Sequence, residues 1–333
     1  MILIRDGKIW EGGDGMLSIN REALKIVKEL LENPELYGVK VERLPSGTTL
    51  IDAGLEARGG FLTGLKVTEI AMGASGTVRL TFMDYGGLSL PSIVVETAHP
   101  SIALFASQLA GWRIKEGGYS ADASGPARAL ACKPGKLFRR IGYRDEADVG
   151  VLLLETNAKP PDEAAVKVAE RCGIDPEDLY LVLTSTTSLV GSVQISGRVV
   201  ETGLFRLDYL GLDPNRVHHA VGYAPIMPPH PDWGRAMGRY EDALTYGGVT
   251  SFLVDLESDE ELKKYVEQAP SSTSKDYGRP SYEIYRSVDF DFTKIDPALF
   301  APASITLTNL RTGTTYTRGE VNVELLRRSL EQP

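Results

Sequence analysis

Residues 184–212 read TSTTSLVGSVQISGRVVETGLFRLDYLGL, and this stretch predicts a helix with two kinds of surface. At about 100° per residue, Gln194, Arg198 and Glu201 fall within one narrow sector of such a helix. The full polar sector contains Thr187, Gly191, Gln194, Arg198, Glu201 and Phe205. Val and Leu occupy most of the remaining surface. The sequence therefore predicts a largely buried helix that carries one polar seam.

Arg198 and Glu201 are the unusual members of this seam, because Arg and Glu are seldom buried unless they are paired. They stand three positions apart, a spacing at which two helical side chains can meet. One interpretation is a structural ion pair at a contact between domains or subunits. The other is catalytic, since a carboxylate beside a guanidinium can orient or deprotonate a water molecule. Gln194 and the small residues along the helix add weight to the catalytic interpretation, but the residues alone leave both open.

The chain has 333 residues, of which 42% are hydrophobic and 24% are charged, and its net charge is −9. This length and composition are typical of a globular protein with two domains. The negative charge disfavours a nucleic-acid surface, because phosphate binding relies on clustered Lys and Arg. We therefore expect a small-molecule partner, with neither nucleic acid nor membrane.

The first residues, the apolar runs and the cysteines of the chain predict its compartment. The first ten residues, MILIRDGKIW, lack the apolar core and cleavage site of a signal peptide, so we expect a cytoplasmic protein. The longest aliphatic run, residues 149–154, is too short to span a bilayer. Cys132 and Cys172 lie far apart in no CxxC motif, which predicts neither a disulfide framework nor a zinc site.

Several common catalytic signatures are absent from the sequence. The four histidines form no HExxH motif, so we expect no metal. There is no GxSxG elbow, no P-loop and no GxGxxG dinucleotide motif. What remains is acid–base chemistry by carboxylates, with Arg or Lys placing an anionic substrate or polarising a water molecule.

The surrounding sequence predicts an α+β protein. A helix over 162–172 stands between strands over 148–155 and 179–183, which predicts a βαβ unit. The 184–212 helix follows the second strand directly, so its polar start is expected at the carboxyl end of a strand, a common position for ligands. Further helices are predicted over 18–32, 101–111, 235–248, 258–268 and 323–330, with a hairpin over 37–53 and strands over 249–256 and 303–310.

A second candidate site lies within residues 117–130, GGYSADASGPARAL. Here Ser124-Gly125-Pro126 predicts the start of a helix, and free backbone N–H groups at such a start attract anions. The alternative is an ordinary capped helix.

Several separate stretches of the chain are similar to one family. They include ETAHPSIALFASQLAGW (96–112), SGPARAL (124–130), GSVQISGRVVETG (191–203) and AMGRYEDALTYGG (236–248). The chain resembles methenyl-tetrahydromethanopterin cyclohydrolase over nearly its whole length, and SGPARAL and GSVQISGRVVETG are its most specific parts. This is an enzyme family of one-carbon metabolism in methanogenic archaea, their relatives and some methylotrophic bacteria.

The resemblance implies a fold and a reaction. It implies two α+β domains with a deep pocket between them, here divided as 1–145 and 146–333, and a homotrimeric assembly. The boundary is not strict, since a terminal segment of one domain can cross over to complete the sheet of the other. The implied reaction adds water across the methenyl bridge of a methenyl-pterin cation to give the formyl-pterin, without metal or organic cofactor.

The resemblance also assigns site residues. The Arg and Glu of the GRVVE segment, here Arg198 and Glu201, act on the water in this family. We expect Arg198 to keep Glu201 ionised by lowering its pKa through the opposite charge. Gln194 is expected as their hydrogen-bonding neighbour. Candidates for contacts with the anionic or pterin parts of the substrate are Lys115, Ser124, Arg128 and Arg239, each with a surface or capping role as the alternative.

The chain departs from the family pattern at a few positions. Residues 72–76 read MGASG where a Gly-Gly-Leu-Gly-like stretch is usual, residues 240–242 read YED in place of Thr-Asn-Asp, and Ala123 occupies a frequent Gly. We expect these changes to affect which pterin fits rather than the reaction. The alternatives to the leading hypothesis are a divergent paralogue that acts on another pterin or folate one-carbon derivative, and a pterin-binding subunit without turnover.

Overall fold

The computed structural model describes residues 17–331, so the first ten residues and the outer ends of the two predicted domains lie outside the described residues. The strands are β1 (Lys40–Arg43), β2 (Thr49–Gly54), β3 (Thr77–Asp84), β4 (Ser89–Thr97), β5 (Trp112–Glu116), β6 (Tyr119–Ser124), β7 (Gly150–Glu155), β8 (Leu179–Thr184), β9 (Val217–Pro225), β10 (Val249–Val254), β11 (Ser304–Asn309) and β12 (Thr315–Gly319). The α-helices are α1 (Ile19–Glu32), α2 (Pro34–Tyr37), α3 (Phe61–Ala71), α4 (Ala127–Ala131), α5 (Gly135–Ile141), α6 (Asp162–Cys172), α7 (Leu189–Ser196), α8 (Val199–Tyr209), α9 (Trp233–Gly247), α10 (Asp259–Gln268), α11 (Ser281–Ser287) and α12 (Val323–Glu331). A π-helix covers Ser101–Gln108.

The strands form two six-stranded mixed sheets, which confirms the α+β prediction. The first sheet has the order β1-β2-β8-β7-β6-β5, and the second has the order β12-β11-β10-β9-β4-β3. In the first sheet, β8 pairs in parallel with both β2 and β7. In the second sheet only the β10–β11 pairing is parallel.

Both sheets draw strands from either side of residue 145. Strands β7 and β8 follow this position yet complete the first sheet, while β3 and β4 precede it yet pair into the second sheet through β9. Strands from the two sides of residue 145 therefore share each sheet. The division into sheets does not follow the division at residue 145, which stays a prediction about domains.

The predicted βαβ unit is confirmed. Strands β7 and β8 pair in parallel with Gly150 opposite Leu179 and Glu155 opposite Thr184, and α6 connects them. Both strands are almost wholly buried, as expected for the centre of a sheet covered on both faces. Their carboxyl ends place Glu155 beside the segment that leads into α7.

The 184–212 stretch is largely buried as predicted, but it forms two helices rather than one. Helix α7 begins after Ser188, whose side chain accepts a hydrogen bond from the backbone N–H of Gly191, and it ends at Gly197. Helix α8 then starts after Arg198. The break occurs where the backbone passes close to α3, since a Cβ on Gly197 would lie 2.5 Å from Cγ2 of Thr68. Helical periodicity alone did not reveal this close approach.

The helix pair contributes to the cores of both sheets. Val190 packs in a cluster with Ile51 and Val182 of the first sheet. Val199 belongs to a second cluster, which contains Phe252 of the second sheet. The junction between α7 and α8 is therefore fixed by packing against both sheets.

Helices α3 and α7 pack closely enough to require a glycine. A Cβ on Gly64 would lie 2.5 Å from Cβ of Val193. We expect Gly64→Ala to lower the free energy of unfolding by about 1 to 3 kcal/mol, because overpacking forces the two helices apart. Urea denaturation of the wild type and the variant measures this. The double variant Gly64→Ala/Val193→Ala is the control: it should lose less stability than the sum of its two single variants. Additive losses would show that Gly64 and Val193 do not share this contact.

Candidate active site

A cavity of about 310 Å³ opens beside the junction of α7 and α8. It is lined by Leu109, Ala110, Glu155, Ile195, Arg198, Glu201, Phe205, Met237, Tyr240 and Glu241. These residues come from the end of β7, from α7 and α8, from α9, and from the segment that follows the π-helix. Three carboxyl groups and one guanidinium face the same space, so the cavity has an acidic character suited to a cationic ligand.

Arg198 is held in one position by three hydrogen bonds. Its Nε donates to Oε1 of Gln194 at 3.1 Å, its Nη1 to the backbone oxygen of Gln108 at 2.5 Å, and its Nη2 to Oγ of Ser124 at 3.0 Å. Only 12% of the side chain is exposed. Because the guanidinium is planar and each of its nitrogens is engaged, its orientation toward the cavity is fixed before any ligand arrives.

The π-helix supplies one of these anchors. At its end, the backbone N–H of Leu109 donates to the backbone oxygen of Leu104, five residues earlier. This spacing is the wide turn that defines a π-helix. The last carbonyl oxygens of a helix have no partner within it, and Arg side chains near such an end can satisfy them. Here the backbone oxygen of Gln108 accepts a hydrogen bond from Arg198, and the backbone oxygens of Phe105 and Ser107 accept hydrogen bonds from Arg128.

Glu201 lies in the first turn of α8 with Oε2 at 3.8 Å from Nη1 of Arg198. The structure therefore brings the predicted Arg–Glu pair together beside the cavity. Burial raises the pKa of Glu201, and the nearby charges of Arg198 and Arg128 only partly oppose this effect. Arg198 lowers the pKa of Glu201 as expected, but the net shift is upward, because Glu201 is only 7% exposed and desolvation outweighs the attraction.

Gln194 and Ser124 surround Arg198 as direct hydrogen-bonding partners. Ser124 ends β6, and the helix that follows it, α4, has only five residues. The backbone N–H of Gly125 donates to the oxygen of Ser107, so this group is not free to bind an anion. Among the described residues, the buried atoms Nε2 of Gln194 and Oε1 of Gln108 have no protein partner. Buried polar atoms are nearly always satisfied, so each of these two atoms is a candidate for a hydrogen bond to water.

Arg128 lies behind the cavity wall. It is fully buried and donates to the backbone oxygens of Phe105, Ser107 and Lys133. Burial lowers the pKa of Arg128 to about 9, partly opposed by the charge of Glu201. It does not line the cavity, so the expected contact with a substrate gains no support from this position. Its charge acts on Glu201 instead.

Lys115 and Arg239 lie away from the cavity lining. Lys115 is exposed on β5 at the edge of the first sheet. Arg239 is partly buried on α9, and its Nη2 donates to the backbone oxygen of Leu330 at 3.3 Å. The structure does not bring either residue to Arg198 and Glu201, and their substrate contacts stay predictions.

Two carboxyl residues of the cavity were not predicted. Glu155 stands at the carboxyl end of β7 and accepts a hydrogen bond from the hydroxyl of Thr186. Glu241 shares one face of α9 with Met237 and Tyr240, at spacings of one helical turn. This spacing was visible in the sequence. Nothing in the sequence, however, indicated that this face of α9 meets α8.

Two other features were looked for within residues 17–331, a metal-binding cluster and a membrane-spanning helix. No group of three or more His, Cys, Asp or Glu side chains is placed to hold a metal ion there. In the same range, no helix has both the length and the apolar character to cross a bilayer.

A largely buried carboxyl group beside a fixed guanidinium at the wall of a cavity is an arrangement that can activate water. The family model described as Cyclohydrolase (MCH) matches residues 18–330. The chain belongs to this cyclohydrolase family.

Relatives across archaeal species match nearly the full chain. The methenyltetrahydromethanopterin cyclohydrolase of Methanocaldococcus jannaschii is 42% identical over 318 residues, covering 95% of this chain and 98% of the relative. The protein of the same name from Methanothermobacter marburgensis is 42% identical over 319 residues, covering 94% and 99%. That from Methanococcoides burtonii is 40% identical over 311 residues, covering 93% and 97%.

Proposed function

We propose that this chain hydrolyses the methenyl bridge of 5,10-methenyl-tetrahydromethanopterin to the formyl derivative, with Glu201 and Arg198 acting on the attacking water. The observation that carries the proposal is the acidic cavity in which a buried carboxyl group, 3.8 Å from a fixed guanidinium, faces space for a ligand. The names and full-length coverage of the relatives support the choice of substrate.

The chemistry follows from charge. The methenyl carbon is an amidinium-like cation, so the ionised carboxylate of Glu201 stabilises the bound substrate and accepts a proton from the attacking water. Burial raises the pKa of Glu201 and so makes its carboxylate a stronger base than an exposed one. The guanidinium of Arg198 keeps the carboxylate from being neutralised altogether and offers N–H groups to the water oxygen.

The side-chain amide of Gln194 adds to this proposal. Its Oε1 accepts from Arg198, while its Nε2 has no partner among the described residues and can donate to a water molecule near the guanidinium. Ordered waters commonly occupy such positions. We propose Gln194 and Ser124 as the residues that keep Arg198 in place, and Arg128 as the charge behind it. Lys115 and Arg239 remain candidates for the outer parts of the substrate.

The direct test mixes the purified protein with methenyl-tetrahydromethanopterin. We expect loss of the methenyl chromophore together with a mass gain of one water. Binding without this mass gain would favour a pterin-binding subunit and contradict the proposal.

One observation favours a second candidate function, turnover of a different pterin or folate derivative. Two of the residues that depart from the family pattern, Tyr240 and Glu241, line the cavity. The same assay with methenyl-tetrahydrofolate distinguishes the two functions, because turnover of the folate alone would identify the chain as a divergent paralogue.

The assembly and the compartment of the enzyme are part of the same proposal. We propose a homotrimer, as the family resemblance implies, and the cytoplasm as its compartment, which the two free cysteines suit. Light scattering of the purified protein measures the first of these directly.

A further inference from the structure

Glu241 is a titratable group of the cavity that the proposed mechanism does not use. It is carried by α9, and it faces the same space as Glu201 and Arg198, which are carried by α8 and the turn before it. Its one hydrogen bond among the described residues comes from the hydroxyl of Thr245 at 3.3 Å, which is long for an O–H donor. No salt bridge within residues 17–331 involves Glu241.

The groups around Glu241 favour its protonated form. Burial, the neighbouring Asp242 and the facing Glu201 raise the pKa of Glu241 to about 7, and the bond from Thr245 opposes them only in part. From α11, Tyr285 also faces this carboxyl group. From α12, Arg328 pairs instead with Glu283 at 3.6 Å. Helix α7 carries no titratable residue, and β9 carries only two histidines and Tyr223.

The proposed hydrolysis has a second step, which needs a proton donor at a nitrogen. After water attacks, the methenyl carbon bears a hydroxyl group and two ring nitrogens. One carbon–nitrogen bond must then break, and its electron pair must go to the nitrogen. A nitrogen anion is a very poor leaving group, so this nitrogen must receive a proton as the bond breaks. Glu201, which now carries the proton of the attacking water, and Glu241 both line the cavity and can each supply a proton in their protonated forms.

We propose that Glu241 is the second proton-transfer group of the cavity, which donates a proton to the departing nitrogen and recovers one from the hydroxyl group of the adduct. This rests on the proposed function. A carboxyl group has one oxygen that donates and one that accepts, so it can serve both atoms of the adduct in one step.

The protons balance over the cycle. Water gives its first proton to Glu201 as its oxygen bonds to carbon. Glu241 gives its proton to the nitrogen, the carbon–nitrogen bond breaks, and the hydroxyl proton returns to Glu241 as the formyl carbonyl forms. Glu201 then releases its proton to solvent. The net change is one cation and one water converted to one formyl product and one proton.

Two carboxyl groups whose surroundings set different proton affinities are the usual basis of an acid and base pair.

The test is Glu241→Gln, which keeps the size and the Thr245 contact but cannot donate a proton. We expect kcat to fall about 10²-fold with little change in KM. In the wild type kcat should decline above about pH 7, as Glu241 loses its proton, and this decline should be absent in the variant. Glu241→Asp, which retains a carboxyl group, should recover part of the rate.

Three results would overturn the assignment. An unchanged kcat in Glu241→Gln is the first, and a rise in KM with kcat unchanged is the second, since it would mean that Glu241 only attracts the cation. A kcat in Glu241→Asp no higher than in Glu241→Gln, with both variants binding substrate, is the third. A wild type that turns over no methenyl-pterin would refute the proposed function instead, so the two failures are distinguishable.

Folding of the variant is a separate readout. Because folding raises the pKa of Glu241, its contribution to stability is lost as pH rises from the unfolded value toward about 7. Glu241→Gln removes this loss, so Tm of the variant should not fall below that of the wild type at pH 8. Reduced activity would then reflect chemistry rather than unfolding.

Discussion

Glu201→Gln is expected to lower kcat by about 10²- to 10⁴-fold, the range for loss of a general base. The amide fills the same space and can still contact Arg198, so the cavity keeps its shape while the proton acceptor is lost. The measurement is single-turnover decay of the methenyl chromophore at saturating substrate. Single turnover separates the chemical step from product release.

The matched control for this variant is Asp208→Asn. Asp208 lies on the same helix, α8, but pairs with Arg140 at 2.8 Å and does not line the cavity. We expect wild-type turnover from Asp208→Asn. If Glu201→Gln retained the rate of this control, water activation would have to be assigned to another group.

Arg198→Met is expected to lower kcat/KM by about 10²- to 10³-fold, as for the loss of one preorganised donor to a reacting oxygen. The change removes the N–H groups that face the cavity and the charge nearest to Glu201. The pKa of Glu201, already raised by burial, should rise further without this charge. Activity depends on the ionised carboxylate, so the acidic limb of the pH–rate profile should move to higher pH.

Two further observations make this prediction decisive. Removing one partner of a buried ion pair also destabilises a protein, so Tm and substrate binding must be measured for Arg198→Met. Arg198→Lys keeps the charge but loses the planar fork that reaches Gln194, Gln108 and Ser124. It should hold the acidic limb near its wild-type position while kcat falls. An acidic limb that stays in place in Arg198→Met would contradict the electrostatic role.

The local features of this fold were predictable from sequence. The helix over 162–172 has a periodic apolar pattern and the strands on either side of it are short apolar runs, and the structure places all three within a few residues of the prediction. The Arg198–Glu201 contact was also predictable, because three positions along a helix fix the distance between two side chains.

Features that depend on distant segments were not predictable. The pairing of β4 with β9 joins strands more than one hundred residues apart, and no local pattern specifies it. The break at Gly197 depends on its contact with Thr68 of another helix. The net direction of the pKa shift of Glu201 depends on how deeply the fold buries it. Glu155 and Glu241 became site residues only when three separate elements met around one cavity.

The π-helix at Ser101–Gln108 makes the site sensitive to chain length as well as to composition. A wide turn holds one residue more than an α-helical turn, and the oxygen of Gln108 reaches Arg198 only from this register. Deleting a single residue there would let the turn relax to ordinary α geometry. The oxygens that follow would then rotate by about 100° and leave two buried arginines without their acceptors. Alignment gaps within this octapeptide would therefore mark proteins that hold their guanidinium groups by some other means.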